Sequence, residues 1–170
     1  DLPTGVVGRL RGAKPGKILA IREDIDALPL QEDTGLPYAS TVAGVSHACG
    51  HDIHAAALLG CAKQLAQQRE ALQGTVLFVF QCAEETFDGA STMLSKGIFQ
   101  DESPDALVGF HCAPALPLGK IGLFSGVANA SCDVITIRVI GKGGHGAHPD
   151  DCIDPIVTAA GLLMQLQTIV

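Results

Sequence analysis

Thr75 to Phe80 reads TVLFVF, a run of β-branched, aromatic and aliphatic residues with almost no polar alternation. A strand with one wet face alternates, whereas a strand apolar on both sides must be covered on both, as in a parallel sheet clothed by helices. The run therefore asks the rest of the chain for layers above and below it. His51, Ala55, Leu58, Ala62 and Leu65 recur at steps of four and three, a helical stripe that predicts a helix over about Asp52 to Glu70 facing a core. A shorter helix is expected from about Gly89 to Lys96, and Ala106 to Phe110 reads as another buried strand. Upstream, Val6 to Arg11 and Lys17 to Arg22 flank Ala13-Lys14-Pro15-Gly16, whose Pro-Gly step predicts a hairpin. Gln31 to Val45, rich in Gly, Pro, Ser and Thr, reads as a surface loop. The fold class expected is α/β with a mostly parallel sheet.

After Gly122 the pattern changes. Ser131 to Gly141 alternates apolar and polar residues, as an antiparallel strand with one wet face would. The glycine-rich GKGGHGAHPD follows, and Asp154-Pro155 then supplies an N-cap and a first helical position for a helix to Val170. A boundary near Phe124 separates residues 1–123 from 124–170. The second part is the start of a domain, since one strand and one helix make no independent core.

Chemistry concentrates in Gly44 to Ala57, GVSHACGHDIHAAA. Cys49 and His51 stand two apart; in extended backbone such residues point the same way, so thiol and imidazole can converge on one ion, with Gly50 allowing a sharp turn. His54 can share that face as a supporting or substrate-contacting group. The competing reading is a capped helix start with surface histidines, for which Asp52 alone would serve as cap. Asp24 and Asp26 end one strand, Glu84 and Glu85 follow another, and His111 ends a third. In open α/β sheets ligands collect outside the carboxyl ends of strands, so a single site can gather all of these. Alternatively, polar residues simply mark where strands stop.

The formal charge of -7 argues against binding nucleic acid phosphates or anionic lipid, which need clustered Lys and Arg that this sequence lacks, and it suits a divalent cation. The six cysteines are scattered singly with no CxxC pair, which disfavours a thiol redox protein and reads most simply as a reducing cytoplasm. Disulfides in a secreted protein are the alternative. No signal peptide or membrane-length apolar run is visible in this stretch.

Five motifs together resemble a known family. EDIDALPLQE (Glu23 to Glu32), GVSHACGHDIHAAALLG (Gly44 to Gly60), FQCAEE (Phe80 to Glu85), GFHCAPALPLGKIG (Gly109 to Gly122) and GKGGHGAHP (Gly141 to Pro149) are similar in order and spacing to the metal-dependent amidohydrolases. That family includes N-acyl-amino-acid deacylases, hippurate hydrolases and plant auxin-conjugate hydrolases. The resemblance implies a three-layer catalytic domain and the beginning of an inserted α+β, ferredoxin-like lid or dimerisation domain. It implies that Cys49, His51, Glu85 and His111 hold two divalent ions, with manganese or zinc leading and cobalt or nickel also compatible. Glu84 is then the catalytic base, and neighbouring side chains in extended backbone would turn it away from Glu85, towards water. Without the resemblance, Glu84-Glu85 reads as an exposed acidic pair at a helix start.

Asp26 resembles a carboxylate beside the site, and Asp24 is either a further support or part of a solvated turn. His145 resembles a histidine that stabilises the tetrahedral oxyanion, reaching in from the partner of a homodimer. A phosphate-binding glycine loop is the other reading of its surroundings, but the GK[ST] sequence is absent. His148 reads as a neighbour and His47 as a structural residue, with a site role as the alternative for His47. The implied substrate is a small N-acyl amino acid cleaved at its amide bond by metal-activated water. In the family a further metal-binding histidine comes later, so this stretch resembles a fragment expected to bind metal weakly and to be essentially inactive alone. The rival reading is a non-catalytic metal-binding or dimerisation module on the same scaffold.

Overall fold

The computed structural model describes residues 4–169. They divide into two compact units, one through Lys120 and one from Ile121. In the first unit the order is β1 (Val6–Arg11), β2 (Lys14–Asp24), α1 (His51–Gln67), β3 (Gln73–Gln81), α2 (Gly89–Ser95) and β4 (Ala106–Gly109). The strands form one mixed sheet ordered β1-β3-β2-β4, in which β2 runs parallel to β3 and β4, and β1 antiparallel to β3.

The apolar run lies in β3, the strand that the sheet has to cover most completely. Val76, Leu77, Phe78 and Val79 are all buried. Val76 and Phe78 meet Leu58 of α1, with Leu10, Ile21, Cys61, Ala62, Leu65 and Phe80 packed around them. The connection β2-α1-β3 steps one way along the sheet and β3-α2-β4 steps back, so right-handed crossovers put α1 and α2 on opposite faces. Alternation agrees with this. Leu10 joins the α1 core, while its neighbours Arg9 and Arg11 reach Glu102, in the α2–β4 connection, at 2.7 and 2.8 Å.

The expected hairpin does not form. β1 and β2 both exist, but β3 is inserted between them, because a strand apolar on both faces takes an interior position with ladder partners on both edges. The chain reverses at Gly12-Ala13, passing over the start of β3, where Gly12 N–H donates to Gly74 O at 2.9 Å and Ala13 N–H to Arg69 O at 3.1 Å. Pro15-Gly16 is no turn; it lies in an irregularity of β2, where the register shifts between Lys14 and Ile18. Gly74 permits the crossing. Its φ is +87°, and a Cβ there would lie 2.0 Å from Lys17 O.

Two further expectations are corrected. β4 forms, but its residues are exposed, because it is an edge strand paired only with β2 among the described residues. Ser131 to Gly141 is not a strand: within the second unit the described residues offer it no ladder partner beyond a bridge of Lys142 to Ile153. An alternating sequence becomes a strand only when another strand satisfies its backbone. Downstream a short 3-10 turn, Pro149–Asp151, leads to α3 (Pro155–Leu166). As its sequence predicts, Asp154 caps α3, accepting from the Ile156 and Val157 N–H groups. The helix stops at Leu166, and Val170 lies outside the described residues.

Candidate metal centre

The strand order creates the crevice. The loops after β2 and β3, neighbours in the sheet, depart towards opposite faces, which opens a cleft at their carboxyl ends. Asp24 and Asp26 arrive there from β2, Glu84 and Glu85 from β3, and His111 from β4. The first turn of α1 brings His51 and His54 to the same rim. Gly50, at φ +82°, starts that helix in the left-handed region with no side-chain cap, so Asp52 is not the N-cap. A side chain at Gly50 would also collide with the Cys112 sulfur, 2.5 Å from where its Cβ would stand.

Cys49 and His111, distant in sequence, meet with Sγ 3.3 Å from Nε2. Donor atoms of Cys49, His51 and His111 lie within 4.8 Å of one another, and so do those of His51, Glu84 and Glu85. His51 thus belongs to both groups. The routes differ from those expected from sequence. Neither pair is in extended backbone: Cys49 approaches His51 through the Gly50 turn, and Glu84-Glu85 occupies a turn entered at Ala83, φ +53°. Ala83 and Phe87 are the described non-glycine residues with positive φ, so local strain brackets the two carboxylates.

Hydrogen bonding fixes the imidazoles. His51 Nδ1 is 3.0 Å from Asp26 O and His111 Nδ1 is 2.8 Å from Cys112 O. A carbonyl only accepts, so each Nδ1 carries a proton, and in the neutral ring this tautomer places the lone pair on Nε2. His54 differs. Cys112 N–H donates to its Nε2 at 2.9 Å, and its Nδ1–H donates to Asp24 Oδ1 at 2.6 Å, so neither nitrogen is left for a cation. His54 is a supporting residue, although its ring lies beside possible ligands.

Asp24 and Asp26 flank His51. Asp24 Oδ1 lies 3.6 Å from its Nε2 and Asp26 Oδ1 3.5 Å from its Nδ1. Asp26 also accepts the Glu85 N–H at 3.0 Å, tying that turn to β2. Burial alone would raise the Asp24 carboxyl, but the His54 hydrogen bond and the Arg22 guanidinium hold it below its ordinary value. Burial, and then the Glu85 carboxylate, push the Cys49 thiol up. Around this pocket the buried His51 Nε2, Glu85 Oε1 and Asp26 Oδ1 have no hydrogen-bond partner. Unpartnered buried acceptors are rare because each costs stability, and a cation would satisfy His51 Nε2 and Glu85 Oε1 together, while Asp26 Oδ1 lies on the Nδ1 side of the His51 ring. The donor set of one sulfur, two imidazoles and adjacent carboxylates fits a divalent metal.

Glu23 was not singled out as a site residue by sequence. It is fully buried on β2, yet Glu23-Asp24 looks like an ordinary acidic strand end; only its place beneath α1 reveals it. His47 is exposed and lines a cavity of about 240 Å³ with Leu30, Tyr38 and Asp52. His145 and His148 lie in the second unit, their ring centroids 5.6 Å apart. Ala147 N–H donates to His145 Nδ1 at 3.1 Å, so the proton of His145 is on Nε2.

Residues 20–164 match the model of peptidase family M20/M25/M40. The chain belongs to this family. Among its relatives, an N-acetylcysteine deacetylase of Bacillus subtilis is 47% identical over 100% of this chain and 44% of its own length. An N-acyl-L-amino acid amidohydrolase of Geobacillus stearothermophilus is 46% identical over 98% of this chain and 45% of its own. A crystal structure of a dinuclear metal-binding M20 peptidase from Bacillus subtilis is 48% identical, covers 74% of this chain and 36% of that one, and gives a TM-score of 0.70. The chain therefore spans less than half the length of the M20 relatives it matches. No helix among the described residues is long and apolar enough to cross a membrane.

Proposed function

We propose that this chain carries the reaction centre of a metal-dependent amidohydrolase that cleaves the amide bond of N-acyl amino acids or small peptide-like conjugates. The observation that carries the reading is the matched pair of imidazoles. His51 and His111 each donate Nδ1–H to a backbone carbonyl and turn Nε2 into the site, that of His111 towards the Cys49 sulfur at 3.3 Å and that of His51, unpartnered, towards Cys49, Glu84 and Glu85. This is how metal-binding histidines are commonly oriented. Relatives named for N-acyl amino acid substrates support the substrate class.

In this reading Cys49, His51, Glu85 and His111 hold two divalent ions, with manganese or zinc preferred on donor chemistry and cobalt or nickel compatible. When bound, the ions would acidify a water and polarise the scissile carbonyl. Glu84 takes the proton from the attacking water and passes it to the leaving amine. Asp26 holds both His51 and the Glu85 backbone in place. Residues 124–170 open an α+β lid through which two copies pair. There His145, with its proton on Nε2, donates to the developing oxyanion of the partner's substrate. We place the protein in the cytoplasm, where Cys49 stays reduced.

The test is Glu84→Gln in the metal-loaded, full-length protein, assayed on a panel of N-acyl amino acids. Loss of general-base catalysis should lower kcat by about 10²–10⁴ with both ions retained. Turnover at the parent rate would remove Glu84 from this role.

A further inference from the structure

We propose that Glu23 and His54 form a two-point clamp that positions His111, Glu23 holding the Phe110 N–H and His54 holding the Cys112 N–H. The proposal rests on the reading of His111 as a metal ligand. Both bonds are 2.9 Å, and they grip the backbone immediately before and after His111. The gripping side chains are fully buried, while the gripped segment is not: Phe110 and His111 are exposed. Packing among the described residues therefore does little to hold the segment, and β4 itself ends at Gly109.

The clamp is anchored from below. Glu23 sits on β2 on the α1 face, and its second oxygen lies 4.0 Å from His54 Nδ1. His54 is fixed by Asp24, which Arg22 holds at 2.9 Å, and Gln81 of β3 accepts from Arg22 Nε at 2.8 Å. Two strands, β2 and β3, and the first turn of α1 are thus linked through side chains to the loop that carries His111. Glu23 and His54 would not touch metal or substrate. They act through the backbone, fixing how far the His111 imidazole reaches towards Cys49. Supporting groups of this kind typically change metal affinity by 10–100-fold when removed.

The experiment measures metal stoichiometry and affinity in the full-length protein by titrating the apo form with Mn²⁺ or Zn²⁺, for the parent, His111→Ala, Glu23→Met and Glu23→Gln. Glu23→Met keeps length and bulk but removes the acceptor, whereas Glu23→Gln keeps an oxygen for the Phe110 N–H. The clamp predicts that His111→Ala loses one of two ions. Glu23→Met should weaken that same ion by about 10–100-fold and leave the other unchanged, and Glu23→Gln should restore it. If His111→Ala binds both ions like the parent, the reading of His111 as a ligand fails. If His111→Ala loses an ion and Glu23→Met does not weaken it, the clamp alone fails. Hydrogen exchange on the unmodified protein tests the clamp without relying on a variant that folds: the Phe110 and Cys112 amides should be protected despite the exposure of their segment. Rapid exchange at both would overturn the proposal.

Discussion

Replacing Glu23 by Gln should abolish a pH dependence of stability in the metal-free protein. Burial is the main cause that pushes the Glu23 carboxyl from 4.5 up to about 7; the Phe110 N–H opposes it, and the neighbouring Asp24 charge adds to it. Unfolding returns the carboxyl to water and to 4.5. At about 1.36 kcal/mol per pKa unit, the difference amounts to about 3 kcal/mol. The sign follows from the raised value. Below 4.5 the group is protonated in both states and its contribution is fully present; as pH rises through about 7, unfolding is favoured because it lets the carboxyl ionise in water. Glutamine has no such proton, yet its amide oxygen can still accept from Phe110.

Urea unfolding of metal-free, full-length parent and Glu23→Gln should therefore diverge between pH 5 and 8.5. The variant should gain most of about 3 kcal/mol relative to the parent, mainly below pH 7. Asp24 works in the opposite sense, since its lowered carboxyl contributes stability that is lost as pH falls. It is present in both proteins, so its effect largely cancels in the comparison. A difference that does not change with pH, or that favours the parent at high pH, would refute the assignment of a raised Glu23.

Leu58→Ala empties the centre of the α1–β3 core, where Leu58 is 1% exposed, and should cost about 2–5 kcal/mol by denaturant unfolding without changing the donor geometry. Gly74→Ala places a Cβ 2.0 Å from Lys17 O at φ +87°, so it should destabilise the β1–β2 crossing by more than the roughly 1–2 kcal/mol of a left-handed residue alone. A thermal midpoint equal to the parent's would contradict that reading of the crossing.

The sequence exposed the parts of the fold that depend on local pattern. The adjacent apolar residues Leu77 and Phe78 announce a strand covered on both faces, and the Leu58 and Ala62 stripe announces the helix that covers one of them. Strand order was not legible, because it depends on which partner wins an edge. Val6 to Arg11 and Lys17 to Arg22 carry the same pattern whether they pair directly or across β3. Ile135 and Ile137 alternate as a strand should, yet they form none where the described residues supply no partner. Of the candidate site, residue types were legible: donor atoms of Cys49, His51 and His111 gather, as do those of His51, Glu84 and Glu85. Its mechanics were not. Tautomers follow from carbonyls such as Asp26 O and Cys112 O, and Glu23 owes its place to a backbone N–H far away in sequence. No spacing rule records such contacts.

Binding of metal by the Cys49 sulfur is the central requirement of the proposed centre. X-ray absorption at the zinc edge of the zinc-loaded, full-length protein reads this directly. The spectrum should contain a sulfur scatterer at about 2.3 Å that disappears in Cys49→Ser, since zinc–thiolate bonds have that length and zinc bonds to nitrogen and oxygen are shorter. A parent spectrum described by nitrogen and oxygen neighbours alone would contradict the proposed centre.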